Sequence, residues 1–145
     1  MRMAELRKRP VVDLSSARRV ARVADVAVDP ATGRVVGLRL AKSEGGDWVD
    51  WSGVHGVGAD AVTVSSLAAL RSAGDAEKEA LARTAKALKR RVLSDRGVEL
   101  GTLRDLELDE STGVVAGVVL DDGRSLPGEA LLGMGRYATV VAVGS

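Results

Sequence analysis

The chain has 145 residues, a net charge of +1 and no cysteine; this fits one domain or two very small ones and excludes disulfides, thiolate catalysis and Cys-ligated metal. Aromatic residues make up 2% and Phe is absent, so Val, Leu and Ala must build the core, which favours strands where Val clusters. No stretch reaches the roughly 18 consecutive apolar residues of a membrane span, no secretory leader is visible, and the cytoplasm is the expected compartment.

The opening residues are basic: Arg2, Arg7, Lys8, Arg9, Arg18, Arg19 and Arg22 stand against Glu5 and Asp13. Residues 1–9 are expected to form a solvated basic arm, and 10–66 a first β module. Inside that module, "DPATG" (29–33) has the chemistry of a hairpin turn. Asp29 accepts backbone hydrogen bonds, Pro30 pre-sets φ, and Gly33 takes the left-handed conformation at no steric cost. The strand "RVVGLRL" follows, then Trp48 and Trp51. Alternation puts Val49 and Trp51 on one face and Trp48 with Asp50 on the other. Trp51 is therefore expected in the core, and Trp48 is a candidate contact residue at the surface.

Residues 67–89 read as a helical linker. In "DAEKEALARTAKALKRR" (75–91), Leu81, Ala85, Leu88 and Val92 form a narrow apolar stripe. Acidic residues crowd its start and basic ones its end, which suits the helix dipole. Arg83, Lys86 and Arg90 are expected on a wet face.

Residues 90–145 then repeat the first module. "DPATGRVVGLRL" (29–40) returns eighty positions later as "DESTGVVAGVVL" (109–120), with six of twelve residues identical. Asp25 and Asp105 also match, as do Val23/Leu103, Val26/Leu106 and Val28/Leu108. An internal duplication accounts for this. In both copies the apolar series slips phase, with a spacing of three before it resumes a spacing of two. That slip predicts β-bulges at Ala24–Asp25 and Arg104–Asp105. Asp29, Gly33, Asp109 and Gly113 are assigned to turns, and Asp25 and Asp105 to the bulges. The strand "VVAGVVL" (114–120) is apolar on both faces. Strict alternation sets Val115 and Val119 opposite Ala116, Val118 and Leu120. Val115 and Val119 are thus candidates for a contact between barrels or subunits.

Signals for chemistry are weak. Gly56-x-Gly58-x-x-Ala61 and Gly133-x-Gly135-x-x-Ala138 fit a dinucleotide glycine pattern. They precede strand-like segments, however, and without a helix N-terminus there is no pyrophosphate cradle. His55 is the only histidine and has no Cys or second His to share a metal. The Asp109 turn lacks the spaced ligands of a calcium loop, and no serine has nucleophile-elbow context. No catalytic residue, cofactor or metal is expected.

The Asp-x-x-Thr-Gly turn, the strand after it and "WVDWSGVHGVGADAVTV" (48–64) together resemble the PRC-barrel family. Members include the cytoplasmic domain of the photosynthetic reaction-centre H subunit and the C-terminal domain of a bacterial 16S rRNA maturation factor. The resemblance implies a mainly β protein: two tandem small barrels joined by a helix and related by a pseudo-two-fold. It also implies a non-catalytic adaptor that docks a protein partner, with a homodimer as one arrangement. The alternative it suggests is an RNA- or ribosome-associated assembly factor. That reading calls for a Lys/Arg cluster on one barrel face and binding that weakens steeply with salt.

Overall fold

A computed structural model describes residues 1–143. The first half comprises helix α1 (Met3–Leu6) and strands β1 (Pro10–Asp13), β2 (Arg18–Asp29), β3 (Arg34–Ala41), β4 (Trp48–Asp50), β5 (Val54–Val57), β6 (Val62–Val64) and β7 (Leu70–Arg71). Helix α2 (Asp75–Ala87) leads into β8 (Arg91–Ser94), β9 (Glu99–Leu108), β10 (Val115–Leu120), β11 (Ser125–Pro127), β12 (Leu131–Met134) and β13 (Ala138–Val141). One sheet runs β5-β6-β1-β2-β3-β4-β7 and the other β12-β13-β8-β9-β10-β11. The two orders are the same, with β7 as the one addition. Even the single parallel pairing recurs, β1 with β6 and β8 with β13.

The bulges lie where the phase slip placed them. Against β3, the register of β2 passes from Val23 to Asp25; against β10, that of β9 passes from Leu103 to Asp105. Each skipped residue bends its long strand and returns Val26 and Val28, or Leu106 and Leu108, to the buried face. Both turns are built as their residues require. Asp29 Oδ1 accepts the Ala31 amide and Asp109 Oδ1 the Ser111 amide, each at 2.9 Å. Gly33 and Gly113 close the turns at φ 66° and 76°.

The larger of two apolar clusters spans both halves. Val23, Val26, Leu38 and Leu40 pack in the same cluster as their counterparts Leu103, Leu106, Val118 and Leu120. The helices tie the halves together. The short α1, which precedes the first sheet, lies between β2 of that sheet and β9 of the second, and α2, which precedes the second sheet, lies on β2 of the first. This replaces the expected solvated arm: Met3 and Leu6 are buried, because the apolar residues between the charges are one turn of a packed helix.

Helix α2 is also rotated from its expected face. Ala80, Thr84 and Ala87 are its buried residues, while Ala85 is exposed and Leu81 is only half-buried. The helix sits close enough to β2 for the Thr84 hydroxyl to accept the Val28 amide at 3.0 Å and donate to the Ala80 carbonyl at 2.8 Å. Only small side chains fit that gap. Arg83, expected in solvent, reaches the Val28 carbonyl instead. The helix itself is shorter than the linker assigned to 67–89, whose first part is a 3-10 turn and β7.

Candidate functional site

The two halves meet along a two-fold seam. Arg34 pairs antiparallel with Val114, its own counterpart in the repeat. Around that pair, the Val35 amide donates to the Gly113 carbonyl and the Val115 amide to the Gly33 carbonyl, both at 2.8 Å. Trp51 crosses the seam, its indole lying over Gly113 so closely that a methyl group there would come within 2.7 Å of the ring. The candidate contact residue Val115 is thus at the junction, but through its backbone. Its side chain joins Val118 and Leu120 in the core, because the register slips at Ala116 and cancels the strict alternation. Val119 is 2% exposed and lies outside the main core cluster, opposite Asp105 in the β9 register.

Asp25 and Asp105 occupy matching bulges with different partners. Asp25 is held by Arg39 at 2.7 Å and Arg7 at 3.4 Å. In the second half Val119 replaces Arg39, and the buried Asp105 accepts amides of Ala4 at 3.3 Å and Leu106 at 2.7 Å. Both are structural anchors.

Trp48 is not a surface residue. It is fully buried under α2 with Ala27 and Ala80, and its indole N–H donates to Asp50 at 2.9 Å. Trp51 is the half-exposed one. Strand β4 ends at Asp50 and Trp51 begins a 3-10 turn, so alternation does not carry across the pair. Asp50 also accepts from Arg71 of β7 at 2.8 Å, and Arg71 in turn reaches Glu77 of α2 at 2.6 Å. Hydrogen bonds from Arg71, then from Trp48, hold the Asp50 carboxyl below the usual range. Arg71 does the same to Glu77 and is itself pushed upward by both acids, Asp50 first.

A cleft beside the seam is lined by Trp51, His55 and Gly56 of the first half and by Glu110 and Ser111 of the second. Among the described residues no group of three or more His, Cys, Asp or Glu is placed to hold a metal ion. Each glycine pair of the dinucleotide-like pattern closes a hairpin, Gly58 donating to Ala61 and Gly135 to Ala138, with a strand following. A second groove is basic on balance: Lys89, Arg90, Arg91 and Arg136 surround Tyr137, with Glu99 beside Arg91 at 3.9 Å and Thr102 completing the lining. That tyrosine is 68% exposed, with the Arg91 guanidinium 4.6 Å above its ring.

The family model for the PRC-barrel domain matches twice, over residues 1–71 and over residues 86–145. The chain belongs to the PRC-barrel family. It is a tandem PRC-barrel protein, and the first match takes in both α1 and β7. No curated protein matches the chain. Among the described residues no helix is long and apolar enough to cross a membrane.

The two PRC-barrels differ most at one edge. In the first, β7 pairs with β4, setting Arg71 opposite Trp48 and Leu70 opposite Val49. In the second, β11 is the last strand of its sheet. Beside it lies a hollow of roughly 430 Å³ lined by Leu126, Pro127, Glu129, Ala130, Ala142 and Val143. Sequence reasoning missed this edge because "SLAALR" (65–71 with its flanking serine) was absorbed into the helical linker. The signal available was the three-residue 3-10 turn capped by Ser66, whose hydroxyl accepts the Ala68 amide.

Proposed function

We propose that this tandem PRC-barrel protein is a non-catalytic adaptor that acts in the cytoplasm by docking a protein partner on its second barrel. The supporting observation is the asymmetry between otherwise matching barrels. The first is capped by α2 and β7, whereas the second leaves an apolar hollow at β11 and, at the opposite end of its sheet, a 53% exposed Leu132 on β12. Exposed apolar surface rimmed by polar groups is the usual mark of an interaction site. Pairing within the chain takes the role a homodimer would otherwise fill, since small barrels bury too little surface alone. The test is affinity capture from the native cell at moderate and high salt, with nuclease in parallel. Protein partners retained through both treatments support the adaptor.

A second reading, an RNA- or ribosome-associated factor, is favoured by the basic groove around Tyr137. Arginine and an exposed ring together can contact phosphate and stack on a base. Capture that is lost on nuclease treatment and falls steeply with salt supports this reading.

A further inference from the structure

We propose that the outer edge of β11 receives an extended segment of a partner protein, which adds an antiparallel strand to the sheet and seats a leucine-sized side chain between Leu126, Ala130 and Val143. The proposal rests on the adaptor reading and names the chemistry of the partner.

The first barrel shows what fits. Strands β4 and β11 occupy the same place and have the same hydrogen-bonding phase. The Leu40 amide donates to the Asp47 carbonyl, and the Leu120 amide to the Arg124 carbonyl, both at 2.8 Å. By alternation, Val49 and Leu126 turn their amides inward, while Trp48 and Ser125 turn theirs outward. In the first barrel those outward groups meet Arg71. Leu67 and Ala69 pack against the core beside it, and Leu70 is buried. In the second barrel no strand among the described residues takes that place. A methyl group added at Gly46 would strike the Arg71 backbone, whereas one at the matching Gly123 would meet nothing within 4 Å. Val49 is buried, but its counterpart Leu126 is half-exposed.

The chemistry of the edge selects among occupants. Edge-to-edge pairing of two copies through β11 would set Ser125 against Pro127, which has no N–H to return. Half the bonds of that ladder are lost, so proline here guards against self-association. A partner strand in the β7 register needs only the amide and carbonyl of Ser125. Among the described residues lining the hollow, Glu129 alone is charged. It favours a cation beside the apolar residue, the same Leu-Arg order that β7 carries. The occupant is therefore an extended peptide reading apolar, small, small, apolar, basic.

The test uses the full chain and a labelled peptide of residues 65–73, SSLAALRSA, followed by fluorescence anisotropy and amide NMR. Saturable binding is expected, with shifts centred on Ser125, Leu126, Ala130 and Val143. Methylating the backbone nitrogen of the peptide's arginine should weaken binding about tenfold, as loss of strand hydrogen bonds requires. Ser125→Pro in the protein should do the same. The proposal is overturned by no binding at millimolar peptide, equal binding of the methylated peptide, or shifts confined to the first barrel. A dimer in light scattering that Ser125→Pro dissolves would also overturn it, by making a second copy the occupant. If cellular partners stay bound to Ser125→Pro protein, the adaptor reading stands and this edge is not its site.

Discussion

Arg34 and Val114 face each other across the line where the barrels join, and each is the other's counterpart in the duplicated sequence. Two glycines make that meeting possible, yet their surroundings differ. Gly33 has open space around it, whereas Gly113 lies under Trp51. Both hold positive φ, so alanine at either should cost about 1–2 kcal/mol in backbone strain. Gly113→Ala should cost a further 1–3 kcal/mol, roughly, for displacing the indole. Urea denaturation of the two variants measures the difference; equal losses would show that the Trp51 contact contributes nothing.

Trp48→Ala should destabilise the protein by about 3–5 kcal/mol, as removal of a large buried aromatic does. It leaves a cavity between β4 and α2 and an Asp50 carboxylate without its indole donor. Partner capture measured below the lowered melting temperature should be unchanged. Reduced capture by a fully folded variant would restore Trp48 as a contact residue.

Ala17 and Gly97 occupy matching turns at φ 58° and 82°. The first barrel holds alanine in a conformation that favours glycine, and a methyl at Gly97 would meet nothing within 4 Å. Ala17→Gly should therefore raise stability by up to about 1 kcal/mol, the strain relief exceeding the added chain entropy. Gly97→Ala should lower it by about the same amount. Thermal melts of both variants check the opposite signs.

Acid should loosen β7 before it unfolds the molecule. Asp50 and Glu77 both have carboxyls lowered by Arg71. A lowered carboxyl stabilises the fold above its unfolded value, near pH 4, and that contribution is lost as pH falls through the folded value. Hydrogen exchange at Leu70 and Arg71, corrected for intrinsic rates, should quicken below about pH 4, while the amide of Leu103, which donates to the Arg90 carbonyl, stays protected. In Arg71→Met the acid step at β7 should vanish; its persistence would assign the step to other groups.

The duplication, both bulges and both Asp-x-x-Thr-Gly turns were legible because each rests on a local rule with a fixed spacing. What failed was facing. Leu81, Ala85 and Leu88 look like an apolar stripe, but α2 presses so near β2 that Ala80, Thr84 and Ala87 are the residues that fit. Side-chain size, not hydrophobicity, set that face. Trp48 and Trp51 were exchanged because a 3-10 turn interrupts the alternation between them, and Val115 was turned round by a register slip at Ala116. The seating of α1 between β2 and β9 and of α2 on β2, and with it the burial of Met3 and Leu6, is a tertiary choice that no local pattern encodes.

The two barrels share one main core and should unfold together. Trp48 is buried in the first barrel beside Ala27, so its indole N–H resonance reports on that half, and the methyl resonances of Leu103 and Leu106 report on the second. Followed through one urea titration, the two signals should change at a single coincident midpoint. Separate midpoints would contradict the shared core and reduce the seam to a contact between independent barrels.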